Sequence, residues 1–361
     1  MSQSPRIFAF HLLNDRSGSP KVLGQLLQHW VEEKREIHLY TSTNENGFLS
    51  DISGVNYHSG WYKFQTNPWL RLIYFTLSQV ILFIKMWNKI RRNDIVYVNT
   101  VLPFGAAILG RCKGARVIYH IHESTVNPKI LKWFLFKVVK TTASDIINVS
   151  QYVRQSHNIS SVPNHLVYNS IENSYLEKVL PKVASEYPRN VLMVCSLKKY
   201  KGVFEFLKLA SDHPNYVFRL VLNASKQETD AFFKNDLIPS NITLYPSQND
   251  LHPFYQWADI VVNLSRPDGW VETFGLTIVE GMAYGLPAIV PPVGGILEVI
   301  DNGVTGYEVD SRDRVTLNET LGSILTNQTN YAIMAKAAKE RLHLFREEEM
   351  TTKVDLVFDI R

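Results

Sequence analysis

Short runs of β-branched and aromatic residues alternate with longer stretches of helical periodicity along the whole chain. In the first half these runs are RIFAFHLL, EIHLYTS, IVYVNT, RVIYHIH, DIINVS and HLVYNS, and in the second half NVLMVCS, VFRLVLN, ITLYP, DIVVNLS and PAIVPP. A strand that is followed by a parallel neighbour needs a crossover, so the alternation is typical of parallel sheets covered by helices. The pattern therefore predicts an α/β protein.

The two sets of runs predict two Rossmann-like doubly wound domains in tandem, since the chain of 361 residues is too long for one small module. We place the first domain at residues 1–170 and the second at 171–344, with the joint in the polar stretch 169–188. A terminal helix at about 345–361 is expected to pack back on the first domain. Two facing domains leave a central cleft, and such sheets bind ligands in the loops after their strands.

Composition excludes several classes of protein. With 45% apolar and 20% charged residues and no low-complexity tract, the chain is neither disordered nor fibrous. Cys112 and Cys195 lack a CxxC partner, which excludes a disulfide framework and fits a reducing compartment. We expect no secretion signal, and the longest uncharged apolar run, Leu72 to Ile84, is shorter than the roughly twenty residues that cross a bilayer. These features predict a cytoplasmic protein.

Charge is distributed unevenly. Residues 1–170 contain 19 Lys and Arg against 9 Asp and Glu, or +10, whereas residues 171–361 contain 19 against 25, or −6. Two segments in the basic half, 69–92 and 129–140, mix Trp, Phe and Ile with lysines and arginines. They are either buried helices with basic edges or a surface that lies on the anionic inner face of the cell membrane. We expect no nucleic-acid partner, because no nucleic-acid-binding module is recognisable.

The densest group of candidate functional residues lies between Ser265 and Gly306. A loop rich in glycine and proline leads through Glu272 into an apolar-periodic helix that contains Glu280. Free N–H groups at the start of that helix attract phosphate, and the two glutamates are spaced to reach one elongated ligand. Gly294 and Gly295 allow a backbone to approach the same place. The alternative is that Glu272 caps the helix and that Glu280 is a solvated helix residue.

This segment resembles the retaining nucleotide-sugar glycosyltransferases of family 4, which have the GT-B fold of two facing Rossmann-like domains. The family has two glutamates separated by seven residues around a Phe-Gly pair, followed by a helix, Gly-x-Pro and Gly-Gly-x-x-Glu. The chain reads Glu272, Phe274-Gly275, Glu280, Gly285-Leu-Pro287 and Gly294-Gly295-Ile-Leu-Glu298.

The resemblance implies roles for these residues. Glu272 contacts donor-sugar hydroxyls, the amides after it hold sugar and diphosphate, and Glu280 binds ribose hydroxyls. The donor-binding residues implied in this way are Gly18, Lys201, Glu272, Thr273, Phe274, Gly275, Leu276 and Glu280.

Lys201 is the candidate cation for the diphosphate. It precedes Gly202 in a basic loop between a strand and a helix, where the alternative is a solvated surface lysine. Members of the family place an arginine at the end of this strand, where the chain has Ser196. Lys198 and Lys199 are the candidate substitutes for that arginine.

In the first half, His120 and His122 share one face of a predicted strand and precede Glu123. We favour buried or cleft histidines over a metal site. The resemblance implies that His122 contacts the donor sugar beside the reaction centre. The loop after the first strand, NDRSGSPK with Gly18, is expected to line the same cleft.

The sequence therefore predicts a metal-independent retaining hexosyl- or deoxyhexosyltransferase, with His122, Lys201 and Glu272 as its catalytic residues. The expected donor is a nucleotide diphosphate sugar, and the expected acceptor is a lipid-linked saccharide or polysaccharide of lipopolysaccharide or capsule biosynthesis. The alternatives are a catalytically silent partner protein of the same fold and a nucleotide-sugar epimerase. Dinucleotide oxidoreductases and P-loop NTPases are disfavoured, because neither GxGxxG after the first strand nor GxxxxGK[ST] occurs.

Overall fold

The computed structural model describes residues 5–42, 47–182 and 185–359. The chain forms two units, of which the N-terminal unit comprises Met1–Asn169 and Met350–Arg361 and the C-terminal unit comprises Ser170–Glu349. Three short stretches for which the sequence makes predictions lie outside the described residues. They are residues 1–4 of the N-terminus, which is expected to lack a secretion signal, residues 183 and 184 of the predicted joint, and residues 360 and 361 of the predicted terminal helix.

The N-terminal unit contains a seven-stranded parallel sheet with the strand order β3-β2-β1-β4-β5-β6-β7. Its strands are β1 (Ile7–Phe10), β2 (Ile37–Ser42), β3 (Val55–Gly60), β4 (Ile95–Asn99), β5 (Arg116–Ile121), β6 (Asp145–Asn148) and β7 (Asn164–Leu166). Its helices include α1 (Gly18–Glu32), α2 (Pro68–Met86), α3 (Phe104–Lys113), α4 (Lys129–Thr142) and α5 (Gln151–His157). Every residue of β1 and β4 is buried, because helices cover both faces of the sheet.

Helix α2 extends at both ends beyond the uncharged run Leu72 to Ile84. Asn67 caps it by accepting from the N–H groups of Trp69 and Leu70, at 2.9 and 3.3 Å. The helix continues for 19 residues and, among the described helices, is the one whose length and apolar composition would allow it to cross a membrane. The uncharged run Leu72 to Ile84 forms the middle of this helix, and Arg71 and Lys85, which bracket the run, lie within the helix as well.

One face of α2 packs on the domain. Phe75, Leu82 and Met86 belong to the hydrophobic core, and α2 lies so close to α3 that a Cβ on Gly105 would be 2.6 Å from the carbonyl oxygen of Gln79. The Gly105 N–H donates to Gln79 Oε1 at 3.1 Å. The opposite face of the same helix remains exposed and largely apolar.

The C-terminal unit contains a six-stranded parallel sheet with the order β10-β9-β8-β11-β12-β13. Its strands are β8 (Asn190–Ser196), β9 (Val217–Asn223), β10 (Ile242–Tyr245), β11 (Ile260–Val262), β12 (Ala288–Val290) and β13 (Gly306–Glu308). Its helices include α6 (Asn173–Leu176), α7 (Val203–Asp212), α8 (Lys226–Phe232), α9 (His252–Trp257), α10 (Leu276–Met282), α11 (Arg314–Thr326) and α12 (Gln328–Arg341). Two parallel sheets with helices confirm the predicted α/β class.

The last helix, α13 (Glu347–Asp359), begins in the C-terminal unit and ends in the N-terminal unit. Arg116 of β5 pairs with Asp145 and donates to the carbonyl oxygens of Val357 and Phe358, at 2.5 and 2.7 Å. Asp355 accepts from His29 of α1 at 2.6 Å. These contacts bind the end of the chain to the N-terminal sheet.

Candidate active site

Lys201 and Glu272 meet at the carboxyl ends of neighbouring strands of the C-terminal sheet. After β8 the chain makes one 3₁₀ turn over Lys199–Lys201 and reaches Gly202, whose φ is +79°. A Cβ on Gly202 would lie 2.1 Å from the carbonyl oxygen of Leu264, beyond β11, so only glycine fits. This close approach holds Lys201 against the loop that carries Glu272.

The carboxylate of Glu272 is surrounded by donors. Its Oε1 accepts from Lys201 Nζ at 2.5 Å, from Ser265 Oγ at 2.7 Å and from Asn263 Nδ2 at 3.3 Å. The indole N–H of Trp270 lies 3.4 Å from Oε2. Asn263, Ser265 and Trp270 were not singled out from the sequence, although all three lie in the loop after β11, where motifs were expected.

The carboxylate of Glu272 stays ionised beside Lys201. Burial alone would raise the pKa of Glu272, but the Lys201 cation and the hydrogen bonds hold that pKa below its ordinary value. The two side chains are 15% and 16% exposed, so their charges are only partly screened by water. Burial raises the pKa of the neighbouring Cys195 thiol to about 12, which keeps it neutral.

Two glycines fix the backbone of Glu272. Gly294 has a φ of +115°, and a Cβ there would lie 2.3 Å from the carbonyl oxygen of Glu272. The N–H of Gly295 donates to the same oxygen at 2.8 Å. The two glycines therefore let their loop approach the loop that carries Glu272, which is the place that the sequence analysis expected.

Helix α10 follows Glu272 and contains Glu280, as the sequence predicts. It spans only seven residues, Leu276–Met282, and Gly275 occupies its N-cap, so the alternative that Glu272 caps the helix is wrong. Thr273 is partly exposed, while Phe274 is 5% exposed and packs edge-on against Phe345, with ring centroids 5.7 Å apart. The Phe274 side chain therefore contributes packing, and any contact it makes with a ligand comes from its backbone.

Glu280 is buried rather than solvated. It is 6% exposed and accepts a hydrogen bond from Tyr255 Oη at 2.9 Å. Burial, and then the Glu280 charge, raises the pKa of Tyr255 well above its ordinary value. Tyr284 hydrogen-bonds His252, which stacks on Tyr175 with centroids 4.1 Å apart. The alternative of a solvated helix residue is wrong, because an aromatic cluster encloses this carboxylate.

The structure does not bring the substitute lysines to the pair. Lys198 and Lys199 are both exposed. The pKa of the exposed Glu228 carboxylate is lowered by hydrogen bonds from Ser225 and, to a smaller extent, by the charge of Lys198. Lys201 is therefore the lysine of this loop that contacts Glu272.

A second group of polar side chains lies at the carboxyl ends of β1, β4 and β5 in the N-terminal unit. Asn99 Oδ1 is 3.0 Å from His122 Nε2, and Asn99 Nδ2 is 3.0 Å from His11 Nδ1. Nδ2 also donates to the carbonyl oxygen of Ser19, which follows Gly18 at the exposed start of α1. Because the amide oxygen accepts and the amide nitrogen donates, one arrangement of neutral histidine tautomers satisfies both contacts.

The histidines of this group are neutral. Burial lowers the pKa of His11 to about 4 and that of His120 to about 3, and it lowers the pKa of His122 well below its ordinary value. His122 was predicted within the strand, but β5 ends at Ile121, so His122 starts the following loop. Tyr97 Oη hydrogen-bonds His120 at 2.8 Å. Across the described residues no group of three or more metal-ligating side chains is close enough to bind an ion.

Glu123 accepts hydrogen bonds from the backbone of two loops. Its Oε2 lies 3.3 Å from the N–H groups of Val101 and His122, which follow β4 and β5. Burial raises the pKa of Glu123 to about 7, although these hydrogen bonds oppose the shift. Asn99, which links the histidines, was not singled out from the sequence, because its partners are 23 and 88 residues away.

Comparison with known proteins identifies the family of this chain. A family model for "Glycosyl transferases group 1" matches residues 179–341, and one for "Glycosyltransferase Family 4" matches residues 16–174. The chain is 23% identical to N-acetyl-alpha-D-glucosaminyl L-malate synthase of Bacillus anthracis over 94% of this chain and 93% of that protein. Among solved structures, Anabaena HepE in complex with UDP and glucose has a TM-score of 0.79 at 16% identity, over 99% of this chain and 100% of that one.

A further similar structure is the lipopolysaccharide outer core galactosyltransferase WaaB, with a TM-score of 0.73 at 15% identity over 98% of this chain and 99% of that one. With these matches and the two parallel sheets, the molecule is a nucleotide-sugar glycosyltransferase of the GT-B fold. It belongs to the retaining glycosyltransferases of family 4, as the sequence analysis predicts.

Proposed function

We propose that this enzyme transfers a hexose or deoxyhexose from a nucleotide diphosphate sugar to a hydroxyl of a lipid-linked saccharide in lipopolysaccharide or capsule biosynthesis. The observation that carries the proposal is the charged pair of Lys201 and Glu272, set at the strand ends within the family motif. HepE, which binds UDP and glucose, supports UDP as the first nucleotide to test. WaaB supports an acceptor from cell-surface glycan synthesis.

In the proposed reaction Lys201 acts on the leaving group. The bond from the sugar C1 to the diphosphate breaks, the bond from C1 to the acceptor oxygen forms, and the proton of the acceptor hydroxyl passes to the leaving phosphate. Negative charge grows on the diphosphate as this happens, so a fixed cation stabilises the transition state more than the ground state. Glu272 and the neutral His122 orient the sugar hydroxyls, and Glu280 binds the ribose.

A donor-binding assay comes first. Thermal unfolding is followed with UDP-, GDP-, dTDP- and ADP-sugars, because a ligand at a hundred times its Kd stabilises the folded state by about 2.7 kcal/mol. Transfer is then measured as release of nucleotide diphosphate with a bacterial lipid extract as acceptor. Release that needs the extract supports the proposal. No binding of any donor indicates the catalytically silent partner protein, and conversion of the donor without an acceptor indicates the epimerase.

We also propose that the enzyme is cytoplasmic and lies on the anionic inner face of the cell membrane through an apolar surface of the N-terminal unit. The exposed face of α2 and the start of α4 form this surface, with Trp69 78%, Ile84 68%, Ile130 74% and Trp133 62% exposed. The ring of Phe104 in α3 contacts both Phe75 of α2 and Phe134 of α4. Helices α2 and α4 are therefore linked through α3 and contribute to one surface of the N-terminal unit. Aromatic side chains beside lysines suit the headgroup region of a bilayer.

The lysines of α4 provide the test of membrane binding. Lys137 and Lys140 are exposed, whereas Lys132 donates to the carbonyl oxygen of Ser124 at 2.6 Å and is less available to lipid. Each lysine near an anionic surface contributes about 1 kcal/mol, so replacing Lys137 and Lys140 by Gln should weaken binding to vesicles of phosphatidylglycerol roughly thirtyfold. Lys226→Gln, in the C-terminal unit, is the matched control. Equal binding to neutral and anionic vesicles would rule the surface out as an anionic-lipid contact.

A further inference from the structure

Asn99 lies at the centre of the polar group in the N-terminal unit, and its surroundings determine which way its side-chain amide points. It is the last residue of β4 and is fully buried. One end of the amide lies 3.0 Å from the carbonyl oxygen of Ser19, which accepts a hydrogen bond but cannot donate one. The atom at that end is therefore the nitrogen, Nδ2, and the oxygen, Oδ1, lies at the end that faces His122.

The direction of the Asn99 amide determines where the His122 ring carries its hydrogen. Oδ1 of Asn99 accepts but does not donate, so His122 Nε2, which lies 3.0 Å away, carries a hydrogen. Burial lowers the pKa of His122 well below its ordinary value, so the ring is neutral and has one hydrogen. The other ring nitrogen, Nδ1, is therefore bare, and a bare nitrogen accepts a hydrogen bond but cannot donate one.

The His122 ring is open to a ligand, whereas the ring beside it is enclosed. His122 begins the loop after β5 and is partly exposed. Among the described residues, the hydrogen-bond partner of its ring is Asn99, through Nε2. His120, whose ring centroid lies 4.4 Å from that of His122, is fully buried and hydrogen-bonds Tyr97 Oη at 2.8 Å. Of these two rings, His122 is therefore the one that a substrate can reach, and Nδ1 is the nitrogen that it leaves for the substrate.

We propose that Asn99 is a positioning residue for sugar transfer, and that it holds His122 in the tautomer that presents a bare Nδ1 to a hydroxyl of the donor sugar. The inference rests on the proposed function, which assigns His122 to the sugar hydroxyls. A bare Nδ1 accepts the hydrogen of the hydroxyl and leaves the hydroxyl oxygen able to accept from another donor. The opposite tautomer would direct an N–H at the same hydroxyl and reverse this hydrogen bond.

Removal of the amide should release the tautomer. Without Oδ1 of Asn99, the hydrogen on His122 Nε2 would have no acceptor, and the ring relieves this by moving the hydrogen to Nδ1. The tautomer that suits the sugar is then depleted, so kcat/KM should fall by about tenfold or more in Asn99→Leu and in Asn99→Ala. Affinity for free UDP, which lacks the transferred sugar, should stay unchanged.

The tautomer is measured by NMR on the full chain, labelled with nitrogen-15 in its histidine rings, because a nitrogen that carries a hydrogen and a bare nitrogen resonate at well-separated frequencies. Loss of signals in His122→Gln identifies those of His122. At pH 7 without substrate, the unchanged protein should carry the His122 hydrogen on Nε2, and the two Asn99 variants should carry it partly or wholly on Nδ1. Melting temperatures verify folding, and the measurement on the unchanged protein stands even if neither variant folds.

Asn148→Leu is the matched control. Asn148 is the last residue of β6 and is fully buried, and its Oδ1 lies 2.6 Å from His157 Nε2. The variant therefore removes the same kind of contact elsewhere in the same sheet. It should keep the His122 hydrogen on Nε2 and leave kcat/KM within about twofold of its normal value.

The proposal is overturned if the unchanged protein carries the His122 hydrogen on Nδ1, or if a folded Asn99 variant keeps either the tautomer or the kcat/KM of the unchanged protein. A fall in kcat/KM with the tautomer unchanged would give Asn99 a structural role only. Failure of the proposed function is distinguishable, because the unchanged protein would then transfer no sugar while its His122 signals would still report the tautomer.

Discussion

The candidate sites of the two units are built in opposite ways. In the C-terminal unit a cation and a carboxylate lie 2.5 Å apart, and the Lys201 charge and hydrogen bonds keep Glu272 ionised. In the N-terminal unit burial keeps His11, His120 and His122 neutral, and an amide links two of them. A fixed charge suits a diphosphate whose charge grows during reaction, whereas neutral donors and acceptors suit the hydroxyls of a sugar.

The largest expected effect comes from removing the cation of the charged site. Lys201→Ala should lower kcat about a hundred- to a thousandfold, or by about 3–4 kcal/mol, with a smaller change in the KM for the donor. Steady-state kinetics measure this, and exposed Lys198→Ala and Lys199→Ala are the matched controls. Normal kcat in Lys201→Ala with a loss in either control would move the diphosphate cation to another residue of the loop.

The second expected effect is a loss of affinity for the nucleotide. Charge-assisted hydrogen bonds to ribose are worth about 1.5–3 kcal/mol each, so Glu280→Ala should weaken nucleotide binding at least tenfold. Isothermal titration with UDP measures it. Tyr255→Phe removes one contact of the carboxylate but keeps the charge, so its affinity should stay within about threefold. A folded Glu280→Ala variant with unchanged affinity contradicts the ribose assignment.

The third expected effect is on the free energy of unfolding, which should depend on pH through Glu123 beside the neutral histidines of the N-terminal unit. Burial raises the pKa of Glu123 from 4.5 to about 7, so between these values the folded state keeps a proton that the unfolded chain has released. Stability due to this group therefore falls as the pH rises through that window. Glu123→Gln should be more stable than the unchanged protein by about 1–2 kcal/mol at pH 8, after a discount for partial exposure, and by less at pH 5.

Urea unfolding at the two pH values measures the Glu123 effect. The histidines contribute equally to both proteins, so the difference between them isolates the carboxyl group. A difference that is the same at pH 5 and pH 8 would show that the pKa of Glu123 is not raised.

The smallest expected effect comes from removing one of the neutral hydrogen-bond donors to Glu272. Ser265→Ala removes one of the hydrogen bonds to Glu272 Oε1 but leaves Lys201 in contact, so kcat/KM should fall by about fivefold, or about 1 kcal/mol. Ser247→Ala, in the loop after β10, is the control, and kinetics over a range of donor concentrations measure both. A loss as large as that of Lys201→Ala would mean that the hydroxyl itself contacts the reacting sugar.

The sequence predicts well those elements that are buried on both faces. Strands such as β1 and β4 are continuous apolar runs because helices cover both sides, and such runs were recognised. β3 was missed because it is a largely exposed edge strand, VNYHSG, and β13 because its sequence, GYE, contains no β-branched residue and no apolar run.

The residues of the candidate sites likewise divide into those that the sequence predicts and those that it does not. Lys201 and Glu272 lie within motifs whose order is visible along the chain, and the structure places them together. Asn99 and His11 are 88 residues apart and meet only because β1 and β4 are neighbours in the sheet. Contacts of this kind depend on strand order, which periodicity in a single sequence does not determine.

The path of the last helix has a consequence for biosynthesis. Arg116 and His29 belong to the first third of the chain, yet they hydrogen-bond α13, which leaves the ribosome after the whole C-terminal unit. Domains that fold during translation normally complete themselves in order from the N-terminus. Here the first domain to be synthesised is the last to be finished, so a nascent chain stalled before residue 350 holds a complete C-terminal sheet beside an N-terminal sheet that still lacks one of its helices.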